Sequence, residues 1–106
     1  MEKPTPRINS ALREQYVDQT VRIIGKVSTF KDDMAVLETS DKGQVLVHLN
    51  GNNKWGSDYV EVIGKLTKEF ALEEYKTNNL GNDLDLDLVE KVVQFSLKCP
   101  EMFLLD

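Results

Sequence analysis

The chain has 106 residues, a length that suits one domain, and its 13 Lys and Arg against 18 Asp and Glu give a formal net charge of −5, which argues against a main role in holding nucleic acid by itself, since phosphate neutralisation supplies most of that affinity. One cysteine, Cys99, excludes an internal disulfide and fits a reducing compartment, and with the single histidine His48 it leaves no donor set for a soft metal site; no cofactor-binding motif is present either. No apolar run approaches the ~20 residues of a membrane span, and the start Met1-Glu2-Lys3-Pro4 has no h-region, so neither a membrane segment nor a secretory signal is expected.

Pro4 and Pro6 predict an extended start. Asn9 or Ser10 then offers a cap for a short helix through about Tyr16, with Leu12 and Tyr16 on one face. From Thr20 to Leu72 the pattern changes to period two. A first strand is expected over Thr20–Phe30, with Val21, Ile23 and Val27 on one face, followed by a turn at Lys31-Asp32-Asp33. A second covers Met34–Thr39, alternating Met34, Val36 and Glu38 against Ala35, Leu37 and Thr39. Ser40-Asp41-Lys42-Gly43 reads as a turn, and Gln44–Leu49 as a third strand facing Val45, Val47 and Leu49 one way. After a polar loop from Asn50 to Ser57, a fourth strand is expected over Asp58–Thr67 with Val60, Val62 and Leu66 on one face. Phe70–Tyr75 reads as a short fifth strand and Thr77–Asn82 as a linker.

Two strands share a local pattern, Arg22-Ile23-Ile24-Gly25-Lys26-Val27 and Glu61-Val62-Ile63-Gly64-Lys65-Leu66. A mid-strand glycine marks a bend, a bulge or a close backbone approach. Long strands bent at glycine are what a small closed barrel needs at its corners. Five short strands and a terminal helix therefore predict an all-β fold, a five-stranded Greek-key barrel of the OB type plus a C-terminal α-helix. An SH3-like barrel would leave the terminal helix unexplained. The expected organisation is a single domain, with the barrel and its N-terminal extension in residues 1–80 and the helix and tail in 81–106.

The closing stretch, Asn82 to Phe103, has Asp83 as the expected N-cap and Asp85 and Asp87 at the positive end of the helix dipole. Leu86, Leu88, Val89, Val92, Val93, Phe95, Leu97 and Cys99 cover about 200° of arc at 100° per residue. A surface helix needs a stripe of only about 100°. A domain of about 100 residues has limited interior to cover the excess. One apolar side is thus expected to pack on the barrel and the other on a partner's helix. Pro100 ends the helix, and Met102, Phe103, Leu104 and Leu105 form an apolar tail.

Pro6-Arg7-Ile8-Asn9, Val21 to Val27, Val60-Glu61-Val62-Ile63-Gly64-Lys65, and Leu84-Asp85-Leu86 through Pro100-Glu101-Met102-Phe103 resemble the smallest subunit of eukaryotic replication protein A, over almost the whole chain. The resemblance implies an OB barrel whose C-terminal helix, here Leu84 to Lys98, joins one helix each from the middle and large subunits in a three-helix bundle. The interface role then falls on Leu86, Leu88, Val89, Val92, Val93, Phe95, Leu97, Cys99 and Phe103. It also implies a nuclear complex that coats single-stranded DNA in replication, repair and recombination, with DNA held mainly through the partners.

An OB barrel binds single strands with stacking aromatics and a cationic track. The middle strands, Met34 to Leu49, contain no aromatic residue. Lys31, Lys42, Lys54 and Trp55 are the candidates for weak contacts to a strand, against the plainer reading in which Trp55 packs on the barrel rim and the lysines are solvated loop charges. His48 reads as a surface residue of the sheet and Cys99 as a packed thiol. Adjacent Glu73 and Glu74 point to opposite faces of a strand and cannot act as a pair. No enzyme is expected. Two other readings use the same fold: a free-standing single-strand-binding module, and the small subunit of a telomere-end complex.

Overall fold

Strands form where β-branched residues alternate with polar ones, because that pattern suits a pleated surface buried on one side. A computed structural model describes residues 5–51 and 55–98, with side chains through residue 95. A two-residue strand β1 (Arg7–Ile8) and a 3-10 helix (Ser10–Gln15) precede β2 (Thr20–Phe30), β3 (Met34–Thr39), β4 (Gln44–His48) and β5 (Tyr59–Leu66). Then come β6 (Leu72–Gly81) and α1 (Leu86–Lys98). The pairings run β2–β3–β4–β6–β5 and return from β5 to β2, closing a ring of five strands; β1 lies parallel to β2. Within the ring, β4 and β6 pair in parallel through Val47 with Leu72 and His48 with Glu73, and the other pairs are antiparallel.

The alternation lands as expected. Val21 and Ile23, Leu37, Val45 and Val47, and Val60, Val62 and Leu66 are fully buried inside the ring. Burial of each such side chain is worth about 1.5–3 kcal/mol, so the interior is the main source of stability. Val27 and Leu49, expected on the same faces, are half-buried and pack at the edge of this core; β2 shifts register between Val27 and Thr29.

Both mid-strand glycines sit at close backbone approaches. Gly25 pairs with Thr39 of β3 and with Val60 of β5, at the point where β2 passes from one neighbour to the other. A Cβ there would stand 2.8 Å from the Glu38 carbonyl oxygen. At Gly64 a Cβ would stand 2.0 Å from the Glu73 carbonyl oxygen, beside a register shift between β5 and β6.

Three expectations need correction. The fifth ring strand starts at Leu72, not Phe70, and runs to Gly81 through the expected linker. Its inward residues Glu74 and Thr77 are polar, and the register skips Tyr75 and Leu80, so period-two hydrophobicity is lost while the ladder to β5 continues. The N-terminal stretch contributes β1 as a sixth strand of the sheet. The short helix is 3-10, and Asn9, although at its N-cap position, makes no capping bond. Asp41 of the β3–β4 turn substitutes for it, accepting from the Ser10 and Ala11 backbone N–H groups and from Ser10 Oγ at 2.7 Å. Burial works to raise the Asp41 carboxyl pKa, but hydrogen bonds from Thr39, Ser10 and Ala11 outweigh it and hold the group below its usual range.

Candidate subunit interface on the C-terminal helix

The helix starts two residues later than Leu84. Asp85, not Asp83, is its cap: Asp85 Oδ1 accepts from the N–H of Asp87 at 2.9 Å and of Leu88 at 3.4 Å, and its carbonyl accepts the first helical bond from Val89. Capping of this kind is worth about 1 kcal/mol. Asp87 adds negative charge in the first turn.

The wide apolar arc divides into two faces. Val89 and Val93 are buried, Leu86 is half-buried, and the helix lies against β1. On the other side Leu88, Val92 and Phe95, spaced i, i+4 and i+7, form a second stripe. Leu88 is 59% exposed, Phe95 47%, and Val92 half-buried. The interface set inferred from sequence is therefore split, with Val89 and Val93 turned to the chain's own domain. Leu97 lies in the helix but beyond the described side chains, and Cys99 and Phe103 lie outside the described residues.

A polar pin fixes which stripe faces out. Glu90 accepts from Asn9 Nδ2 at 3.0 and 3.1 Å, from Ser40 Oγ at 2.9 Å and from Gln94 Nε2 at 2.9 Å. Asn9 is 2% and Ser40 6% exposed, so the carboxylate is tied to the barrel through nearly buried donors. Hydrogen bonds to a charged acceptor are worth about 1.5–3 kcal/mol each where water is excluded. The sequence offers Asn9 as a cap residue, and Asn9, Ser40 and Glu90, so far apart in the chain, give no local signal of their meeting.

The residues considered for single-strand contact are not brought together. Lys31 and Lys42 are exposed in turns at opposite ends of β3, and Lys54 lies outside the described residues. Trp55 is half-buried against the core, its Nε1 donates to Glu74 Oε2 at 2.7 Å, and its ring is tilted 53° to that of Phe30 at 5.5 Å between centroids. Glu74 also accepts from the Asn50 N–H and from Thr77 Oγ1, which straps the loop before β5 to β6. Glu73, its neighbour, is exposed, so the two carboxylates face opposite ways as expected. His48 is exposed at the end of β4.

Comparison with known proteins supplies the context for this surface. The family model described as Replication factor A protein 3 matches residues 1–103. Replication factor A protein 3 of Schizosaccharomyces pombe is 26% identical over 104 residues, covering 97% of this chain and 98% of that protein. Among solved structures, a chain of U. maydis replication protein A bound to single-stranded DNA superposes with a TM-score of 0.93 at 40% identity, over 97% of this chain and 98% of that one. Telomere capping protein Ten1 of S. pombe superposes with a TM-score of 0.72 at 14% identity, over 91% of this chain and all of that one (100%), which is a likeness of fold alone.

Proposed function

The chain belongs to the Replication factor A protein 3 family, and on that premise we propose that it is the smallest, structural subunit of a heterotrimeric replication protein A complex that binds single-stranded DNA in replication, repair and recombination. It is not an enzyme. The partners are the large and middle subunits. The helices of the three chains meet in a three-helix bundle, and the complex works in the nucleus.

The observation that carries this reading is the second apolar stripe on α1. Leu88, Val92 and Phe95 face away from the barrel on a helix already fixed to that barrel through Val89, Val93 and Glu90. Partly exposed Leu and Phe side chains that become buried contribute about 1–2 kcal/mol each. A stripe at coiled-coil spacing suits partner helices better than a nucleic acid.

The free-standing binding module is less well supported, because Trp55 is engaged by Glu74 and Phe30 and the exposed lysines are dispersed. The telomere reading rests on fold likeness at 14% identity, against 40% for the replication protein. Titration with a labelled oligonucleotide separates assembly subunit from module. The isolated chain should bind at least about 100-fold more weakly than the assembled complex, and only the complex should show a steep salt dependence. Comparable affinity and slope for the chain alone would favour the module.

A further inference from the structure

Positions 50 and 51, just after β4, answer two different structural demands. Gly51 is exposed and sits at φ +80°, where a side chain would be strained. Asn50 latches the loop to β6 at the point where the register passes over Tyr75. Its Nδ2 donates to the Glu74 carbonyl oxygen at 3.0 Å and to the Tyr75 carbonyl oxygen at 3.2 Å. Two donors on one short side chain are what an amide supplies and a carboxylate lacks. The Asn50 N–H donates to Glu74 Oε1 at 3.1 Å and Trp55 Nε1 to Oε2 of the same carboxylate, so the latch and the Trp55 contact converge on Glu74, a residue only 4% exposed. Together these demands create Asn50-Gly51, the only Asn-Gly pair in the chain. Glycine after asparagine puts no side chain in the way of attack by the backbone nitrogen on the asparagine amide. No neighbour crowds this glycine either: a Cβ on Gly51 would meet nothing within 4 Å among the described residues.

We propose that Asn50-Gly51 is a self-modification site, a deamidation held off while the latch is closed, and that its conversion to aspartate releases the loop from β6. The inference is independent of the assembly reading. In the reaction the Gly51 nitrogen gives up its proton and bonds to Asn50 Cγ, the Cγ–Nδ2 bond breaks, and Nδ2 leaves as ammonia carrying that proton. Water then opens the cyclic imide at one of its two carbonyls, leaving aspartate or isoaspartate. Water is the only co-reactant, and nothing is oxidised or reduced. The latch opposes the first step because Nδ2, the leaving group, is held by two carbonyls of β6, so reaction waits for a local opening. Once formed, the carboxylate has no donor for those carbonyls and stands as a like charge beside Glu74. The reaction therefore cannot be undone by closing the latch again.

The test incubates the full chain in mildly alkaline buffer, with and without a denaturing concentration of urea, and follows conversion at Asn50 by peptide mapping with mass spectrometry. Conversion should occur in both and be at least about 10-fold slower in the native chain, where only the open fraction reacts. The Asn50→Asp variant, which is the reaction product, reports the release. Trp55 is the only tryptophan, so its fluorescence reads the state of the strap directly. In that variant its emission should shift to the red, as in a more hydrated indole, and the urea midpoint should fall below wild type. No conversion at Asn50 in urea would mean that there is no such site, and conversion as fast in the native chain as in urea would mean that the latch holds nothing off; either result overturns the proposal. So does an Asn50→Asp chain with wild-type emission and midpoint, because the loop would then stay on β6 without the amide.

Discussion

Leu88→Asp is expected to remove this chain from the complex while leaving the chain itself folded. Leu88 is 59% exposed on the isolated molecule, so the barrel and its core lose almost nothing on substitution. The position lies in the first turn of α1, where a carboxylate faces the positive end of the helix dipole and is, if anything, favourable. In a helical bundle the same carboxylate would be stripped of water with no partner, a cost of several kcal/mol. At 1.4 kcal/mol per tenfold, about 4 kcal/mol corresponds to roughly a 10³-fold loss of affinity. Co-expression with the large and middle subunits, then size exclusion and intact-mass measurement, should show those two without this chain. The variant purified alone should keep the wild-type strand signal and thermal midpoint.

Gly64→Ala is expected to be the most damaging small substitution in the barrel. The added Cβ would meet the Glu73 carbonyl oxygen at 2.0 Å and its carbon at 2.9 Å. Both are backbone atoms of the paired strand, so no side-chain rotation relieves the clash, and β5 and β6 must separate where their register shifts. The loss should exceed about 4 kcal/mol, a large share of the 5–15 kcal/mol that holds a typical domain. Urea denaturation measures it, and Gly56→Ala is the matched control, because a Cβ there has nothing within 4 Å among the described residues. Equal midpoints for the two variants would mean that the strands do not approach as closely as described.

The features legible in the sequence were those written in local period. β2 and β3 match their expected bounds because Val21, Ile23, Ala35 and Leu37 alternate cleanly. The paired glycines marked the close approaches because few other roles explain glycine in mid-strand. β6 was half lost, since Glu74 and Thr77 point inward with polar partners and Tyr75 and Leu80 break the alternation. The excess apolar arc of the helix was visible, but its division was not. Which of Leu88 and Val89 turns inward depends on Glu90 finding Asn9 and Ser40, a meeting of three segments that no window of sequence contains. The cap is ambiguous in the sequence for a local reason: Asp83, Asp85 and Asp87 are equivalent in type, and only the path out of β6 selects Asp85.

On the proposed function, α1 holds two apolar faces, one satisfied within the chain and one covered by other polypeptides. Methyl-detected NMR with an inert soluble paramagnetic agent reads both faces at once. In the isolated chain the Leu88 methyls should be strongly broadened and those of Val93 protected; in the assembled complex both should be protected. Leu88 methyls shielded in the isolated chain, or equally broadened in the complex, would contradict the account.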